Sequence, residues 1–365
     1  MARLVCHPMI SFFFFLSTVL YTLCYADSSS PCLQQNQTPL FIFGDSLSDP
    51  GNNNYLNSST SSLKANFSPY GMTFFKYPTG RFSDGRIVPD FIAEYAEIPL
   101  IPPYLQPGYH RFTDGANFAS GGAGVLLETG QGSVVPLKTQ MEYFKNVEKQ
   151  LRKKLGDAEG RALVSRAVYL MNIGSNDYIF AFATNSSLIK LHPEQFVRMV
   201  IGNLTATIKD IHEKGGRKFW VPNLALLQSN ELAKLHNQGL LKMLQKLETQ
   251  LEGFKYSTTD FYSFLLDVIN FPSRYGLKEG KKACCGRSPF EGNKQGTNFE
   301  VCEDPSDYVF FDGVHPTEAV NEKFASIVWN GSHRQTWPYN LKELFESRGS
   351  IHQSSSTPCR FYGNH

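Results

Sequence analysis

Leu40-Phe41-Ile42-Phe43-Gly44-Asp45-Ser46-Leu47 is the stretch whose reading decides the fold. Four consecutive apolar residues with no polar alternation match a short strand covered on both faces, the kind that a parallel sheet buries. The run breaks at Gly44-Asp45, which places Ser46 at the carboxyl end of that strand. In open α/β sheets this edge is where ligands bind.

Outward from it, Asn117 to Ala119, Val168 to Ile173, Lys218 to Pro222 and a weaker run near Tyr256 to Phe261 also read as strands. Long amphipathic stretches lie between them. Pro193 to Lys214 puts Phe196, Met199, Val200, Leu204, Ile208 and Ile211 on one helix face and stops at Gly215-Gly216. Asn230 to Phe254 does the same with Leu232, Leu235, Leu240, Met243, Leu247, Leu251 and Phe254. Such stripes are core packing. Strands alternating with helices predict an α/β fold with a parallel sheet. Asp49 to Asp84 and Gly276 to Asp307 read as long loops, and no linker separates two cores.

The ends of the chain carry different signals. Arg3 precedes an apolar run from Met9 through Leu20, then small and polar residues to Ala26, the layout of a secretory signal peptide over residues 1–26. A membrane anchor would need about 20 apolar residues, and this run is shorter. Residues 27–365 then form a single expected domain, with its core at about 38–345, and no later segment is long enough to span a bilayer. At 41% hydrophobic and 19% charged the chain has the material for a large core, which excludes disorder as its main state. A net charge of +2 from 35 basic and 33 acidic residues offers no polybasic field, which argues against a nucleic-acid partner.

Cys6 and Cys24 leave with the signal, and Cys32, Cys284, Cys285, Cys302 and Cys359 stay, an odd set with at least one unpaired member. Neighbours Cys284 and Cys285 do not easily bond each other, so each is expected to reach a different partner. Cys302 is one choice because it closes a short loop, and the pairing as a whole stays open. A zinc site lacks a second close pair and a histidine at ligand spacing. Sequons at Asn36, Asn57, Asn66, Asn185, Asn203 and Asn330 are candidate glycan acceptors in a secreted chain.

The chemistry gathers at strand ends. Tyr308-Val309-Phe310-Phe311 runs into Asp312-Gly313-Val314-His315, a carboxylate and an imidazole three residues apart, so that the first can orient the second. A serine hydroxyl is a weak nucleophile without a base to take its proton and a carboxylate to fix that base's tautomer. Ser46, His315 and Asp312 supply the three roles. Phe118-Ala119-Ser120 leads to Gly121-Gly122, and Val168 to Ile173 leads to Gly174-Ser175-Asn176-Asp177. The Asn176 amide with the backbone N–H groups of Ser46 and Gly121 is the expected oxyanion hole. Each piece alone has an ordinary reading as a turn, a loop or a helix start. Four such motifs in order, all at strand ends, favour catalysis. Phe74-Phe75 reads as packing before it reads as an acyl groove.

The blocks Phe43-Gly44-Asp45-Ser46-Leu47-Ser48-Asp49-Pro50-Gly51-Asn52-Asn53, Asn117-Phe118-Ala119-Ser120-Gly121-Gly122-Ala123-Gly124, Gly174-Ser175-Asn176-Asp177 and Phe311-Asp312-Gly313-Val314-His315-Pro316-Thr317 closely resemble the plant GDSL esterase/lipases of the SGNH hydrolase superfamily. The resemblance covers nearly the whole chain after residue 26. It implies a flavodoxin-like three-layer α/β/α sandwich with a parallel central sheet, a secreted glycoprotein of the cell wall or apoplast, and hydrolysis of small-molecule or lipid esters with no metal or cofactor. It puts the nucleophile on Ser46, the oxyanion glycine and asparagine on Gly121 and Asn176, and the remaining pair on Asp312 and His315. Many relatives carry another cysteine soon after Cys284-Cys285-Gly286, whereas Gly286 to Val301 has none, so the pairing does not carry over. The Gly-x-Ser-x-Gly elbow, His-Glu-x-x-His, the P-loop and the dinucleotide fingerprint are absent. An acyltransferase that passes the same acyl-enzyme to an alcohol is the first alternative. A secreted binding or signalling protein with a vestigial site is the second.

Overall fold

All five residues of Leu40–Gly44 (β1) are buried, as an unbroken apolar run requires. The computed structural model describes residues 37–60, 63–109, 111–225, 230–286 and 300–347. Strand β1 pairs in parallel with Gly115–Asn117 (β2) on one side and Val168–Asn172 (β3) on the other. Lys218–Trp220 (β4) and Lys255–Thr259 (β5) continue the sheet in parallel. The order β2-β1-β3-β4-β5 reverses direction at β1, the flavodoxin-like arrangement.

Two features depart from the sequence expectation. The outer edge of the sheet is closed by Thr336–Pro338 (β8), which pairs with β5 antiparallel, so the sheet is mixed and not wholly parallel. The run before Asp312 and His315 does form a strand, Tyr308–Phe310 (β7), but in a separate two-stranded sheet with Glu279–Ala283 (β6). That second strand lies inside a stretch read as loop, because Glu279-Gly280-Lys281-Lys282 has no apolar run to announce it.

Alternation along the strands sorts the two faces. Phe41, Phe43, Tyr169, Met171 and Phe219 point to one side, where they pack with Leu137–Leu155 (α2), Asp157–Arg166 (α3), Pro193–Glu213 (α5) and Asn230–Gln250 (α6). Leu40, Ile42, Val168, Leu170 and Trp220 point to the other, against Val88–Tyr95 (α1), Phe261–Asn270 (α7) and Glu318–Asn330 (α8). Two helical layers on one sheet make the α/β/α sandwich. Ser175–Ala183 (α4) starts directly after β3. The α5 stripe differs by one position: Val197 is buried and Met199 is 40% exposed, since Phe196, Val200 and Leu204 already define the face.

The bridge Cys284–Cys302 is present, and Cys285 is a buried free thiol among the described residues. Cys32, Cys359, the Asn36 sequon and the signal segment lie outside the described residues.

Candidate active site

The turn after β1 is shaped by its glycine. A Cβ on Gly44 would stand 2.9 Å from the carbonyl oxygen of Asn172 and 2.8 Å from the Ser48 side chain, so only glycine admits the close packing with β3. Gln140 of α2 reads this point as a strand would, donating to the Gly44 carbonyl at 2.8 Å and accepting its N–H at 2.9 Å. Ser46 follows, half-buried at the strand end.

Ser46 Oγ lies 2.7 Å from His315 Nε2. The Nδ1 of the same ring meets both oxygens of Asp312, at 2.9 and 2.8 Å. Asp312 Oδ1 also accepts the backbone N–H groups of Val314 and His315, each at 2.7 Å, so the three-residue spacing closes a tight turn around the carboxylate. Burial alone would push the Asp312 carboxyl up. The facing imidazole and the converging donors outweigh it and hold the group below the ordinary carboxylate value. The Phe82 ring, 4.8 Å from the His315 ring, covers the imidazole face.

The oxyanion side is built from β2 and β3. Beyond β2 the chain keeps its ladder with β1, with Phe118 N–H donating to Ile42 and Ser120 N–H to Gly44, which brings Gly121-Gly122 beside Ser46. The Asn176 amide, in the first turn of α4, donates to the Ala123 carbonyl at 3.0 Å and keeps a second N–H. The Gly121 N–H donates to Asp49 Oδ2 at 2.9 Å. Gly122, at φ +80°, and Ser46 have N–H groups with no acceptor among the described residues.

Buried carboxylates brace these loops. Asp49 Oδ1 accepts the N–H groups of Gly51 and Asn52, and burial raises its carboxyl to about 6 against those hydrogen bonds. Asp177 accepts from the N–H groups of Val125 and Leu126 and the Thr129 hydroxyl, and burial raises it likewise to about 6. Asp45, beside Ser46, has the Leu47 N–H at 3.0 Å, and burial lifts it to about 7.

The model of the GDSL-like Lipase/Acylhydrolase family matches residues 40–328. The chain belongs to this family. It is 47% identical over 365 residues to GDSL esterase/lipase 1 of Arabidopsis thaliana, covering 91% of this chain and 97% of the relative. A GDSL lipase of Tanacetum cinerariifolium is 47% identical over 340 residues, 87% of this chain and 91% of that one. GDSL esterase/lipase 4 of Arabidopsis thaliana is 48% identical over 346 residues, 86% and 92% of the two chains. As a GDSL esterase/lipase the chain is a carboxylic ester hydrolase that acts on a small-molecule ester. Among the described residues no helix is long and apolar enough to cross a membrane.

The sequence motifs assign no role to several supporting residues of this GDSL site, although Asn52 and Asn53 fall in the first block. Asn53 donates to the Gly121 carbonyl and accepts the Ser120 hydroxyl, and Asn52 donates to the carbonyls of Asn117 and Ala119. Tyr70 donates to Asp312 Oδ2 at 2.7 Å from 242 positions away. All three lie in the stretch read as a polar loop. Phe74 and Phe75 lie under the guanidinium groups of Arg86 and Arg81, at 4.2 and 4.6 Å, and Phe74 stays 46% exposed.

Proposed function

We propose that the chain is a secreted serine esterase that hydrolyses lipid or other acyl esters through an acyl-enzyme on Ser46. The observation that carries this reading is the unbroken line of hydrogen bonds from Ser46 Oγ through His315 to Asp312. His315 Nε2 takes the hydroxyl proton as Oγ attacks the ester carbonyl carbon. Asp312 holds Nδ1 and stabilises the imidazolium. The N–H groups of Ser46 and Gly122 and the second amide N–H of Asn176 receive the oxyanion. Collapse expels the alcohol, which takes its proton from His315. Water activated by the same ring then releases the acid.

Secretion is supported by the layout of residues 1–26, by the Cys284–Cys302 bridge, and by exposure of the sequon asparagines Asn57, Asn66, Asn185, Asn203 and Asn330. An acyl substrate is supported by exposed apolar side chains near the triad: Val314 beside His315, and Phe67, whose ring packs on Tyr70. The test is hydrolysis of a chain-length series of p-nitrophenyl esters by the secreted wild type and Ser46→Ala, both checked for folding by circular dichroism. Loss of turnover in the variant alone is expected. A folded Ser46→Ala protein that matches wild type would sink the reading.

A further inference from the structure

The dyad carboxylate has one anchor that its own turn cannot supply. Asp312 Oδ1 is saturated locally by the N–H groups of Val314 and His315. Oδ2 faces His315 Nδ1 and, among the described residues, a single further donor, the Tyr70 hydroxyl at 2.7 Å. Tyr70 is well placed to hold this oxygen. Its ring packs edge-on against Phe311 at 5.4 Å and Phe82 at 6.1 Å, and Phe82 in turn covers His315. Burial first, and the Asp312 charge second, keep the phenol far above its ordinary value, so it stays a donor at every working pH.

The segment that carries Tyr70 is also fastened to the far side of the catalytic histidine. Gly71 N–H donates to Ser83 and Thr73 N–H to Asp84. Ser83 Oγ donates to the Pro316 carbonyl, and Asp84 Oδ1 accepts the Glu318 N–H at 2.8 Å. The Thr73 hydroxyl reaches Glu318 Oε2 at 2.7 Å. Residues 70–84 thus hold the Asp312–His315 turn from both ends, and displacement of one disturbs the other.

We infer that Tyr70 is a positioning residue of the triad: its hydroxyl fixes the torsion of Asp312 and draws charge from Oδ2, which tunes the basicity of His315. The inference rests on the Ser46 acyl-enzyme reading. Without the phenol the carboxylate holds the imidazolium more strongly, which moves the acid limb of the rate profile up; Asp45, which faces the His315 ring, and Cys285, which faces Asp312, are the same in both proteins. The catalytic turn also gains a rotational freedom that the reaction must freeze.

Tyr70→Phe keeps the ring and removes only the hydroxyl. Wild type, Ser46→Ala and Tyr70→Phe are compared for p-nitrophenyl ester turnover across pH and for labelling of Ser46 by a fluorophosphonate, with melting temperature as a folding check. Expected for Tyr70→Phe are a fall of about tenfold in kcat with KM little changed, and an acid limb of kcat/KM moved up by roughly half a pH unit. A kcat and acid limb equal to wild type, or a limb that moves down, would overturn the inference while wild type stays active and Ser46→Ala inert. A wild type that neither turns over ester nor takes label would overturn the underlying reading and the inference with it. Should Tyr70→Phe melt early, Tyr70→His, which offers a ring N–H in place of the hydroxyl, must recover part of the lost kcat. Failure to do so in a folded protein also overturns the inference.

Discussion

Asp49 Oδ2 accepts the N–H of Gly121 at 2.9 Å while Asp49 Oδ1 accepts two more backbone donors, so one buried carboxylate ties the serine loop to the oxyanion loop. The contact occupies the N–H of the first glycine of the pair, whereas that of the second, Gly122, has no acceptor among the described residues. In a Ser46 phosphonate adduct, the phosphoryl oxygen is expected at about 3 Å from the N–H groups of Ser46 and Gly122 and from Asn176 Nδ2, with Gly121 still on Asp49. A crystal structure of the adduct checks this. Asp49→Asn offers one carbonyl oxygen to three donors and is expected to cost about 1–3 kcal/mol in urea unfolding.

The two halves of this site were not equally readable. The placement of Ser46, Asn176, Asp312 and His315 was legible because all four follow strand ends, and strand ends are marked by apolar runs stopping at glycine or aspartate. The contacts of Asp49, Asn53 and Tyr70 were not, although the first two lie in the block that carries the resemblance, because a loop side chain that reaches 67 or 242 positions along the chain leaves no periodic trace. The same limit applies to the fold. Strands β1, β3, β4 and β5 announce themselves by composition, whereas β6, with two lysines and a glycine, forms only because β7 lies beside it. The antiparallel β8 is three residues long and is selected by pairing with Ser257, Thr258 and Thr259.

Asn176→Ala removes the side-chain donor but leaves the triad untouched. Turnover on a short ester is expected to fall by about two to three orders of magnitude with KM less affected. Steady-state kinetics settle it, and a variant as fast as wild type would exclude Asn176 from the oxyanion hole.

Arg81 and Asp90 form a two-pronged pair at 2.7 and 2.7 Å, with both residues buried, and Arg81 also donates to the Pro50 carbonyl. Removing one partner strands the other charge in the interior. Asp90→Ala is expected to cost about 3–5 kcal/mol in urea unfolding. It also deprives the Ile87 N–H at the start of α1 of its acceptor. A loss below about 1 kcal/mol would mean that the pair is far better solvated than its burial indicates.

The Cys284–Cys302 bridge spans 18 positions and closes the segment next to β6. Cross-linking a loop of this size restricts the unfolded chain, and Cys302→Ser is expected to lower stability by about 3 kcal/mol. The measurement is denaturant unfolding of the variant against wild type under non-reducing conditions. Curves that coincide would show that the crosslink adds nothing to stability.

Stability should rise on mild acidification, a consequence of the three carboxyls around the serine. Burial lifts Asp45 to about 7 and Asp49 and Asp177 to about 6, from 3.8 in the open chain. A carboxyl raised on folding takes up a proton that the unfolded chain lacks, so its contribution is complete below the unfolded value and is lost as pH climbs through the folded one. His236 opposes them: burial lowers it to about 3 from 6.5, so acid favours the unfolded form by one proton below about 6.5. These three sites of uptake, joined by Asp84, which burial also raises, outnumber the one of release and leave the native state with more protons at pH 5 than the unfolded chain. The melting temperature is therefore expected to be higher at pH 5 than at pH 7.5, and to fall again below about pH 4, where the unfolded carboxyls also protonate and the lowered Asp312 loses its charge. Asp45→Asn, which cannot titrate, should flatten the rise. A melting temperature that drops steadily from pH 7.5 to 5 would show that His236 outweighs the carboxyls.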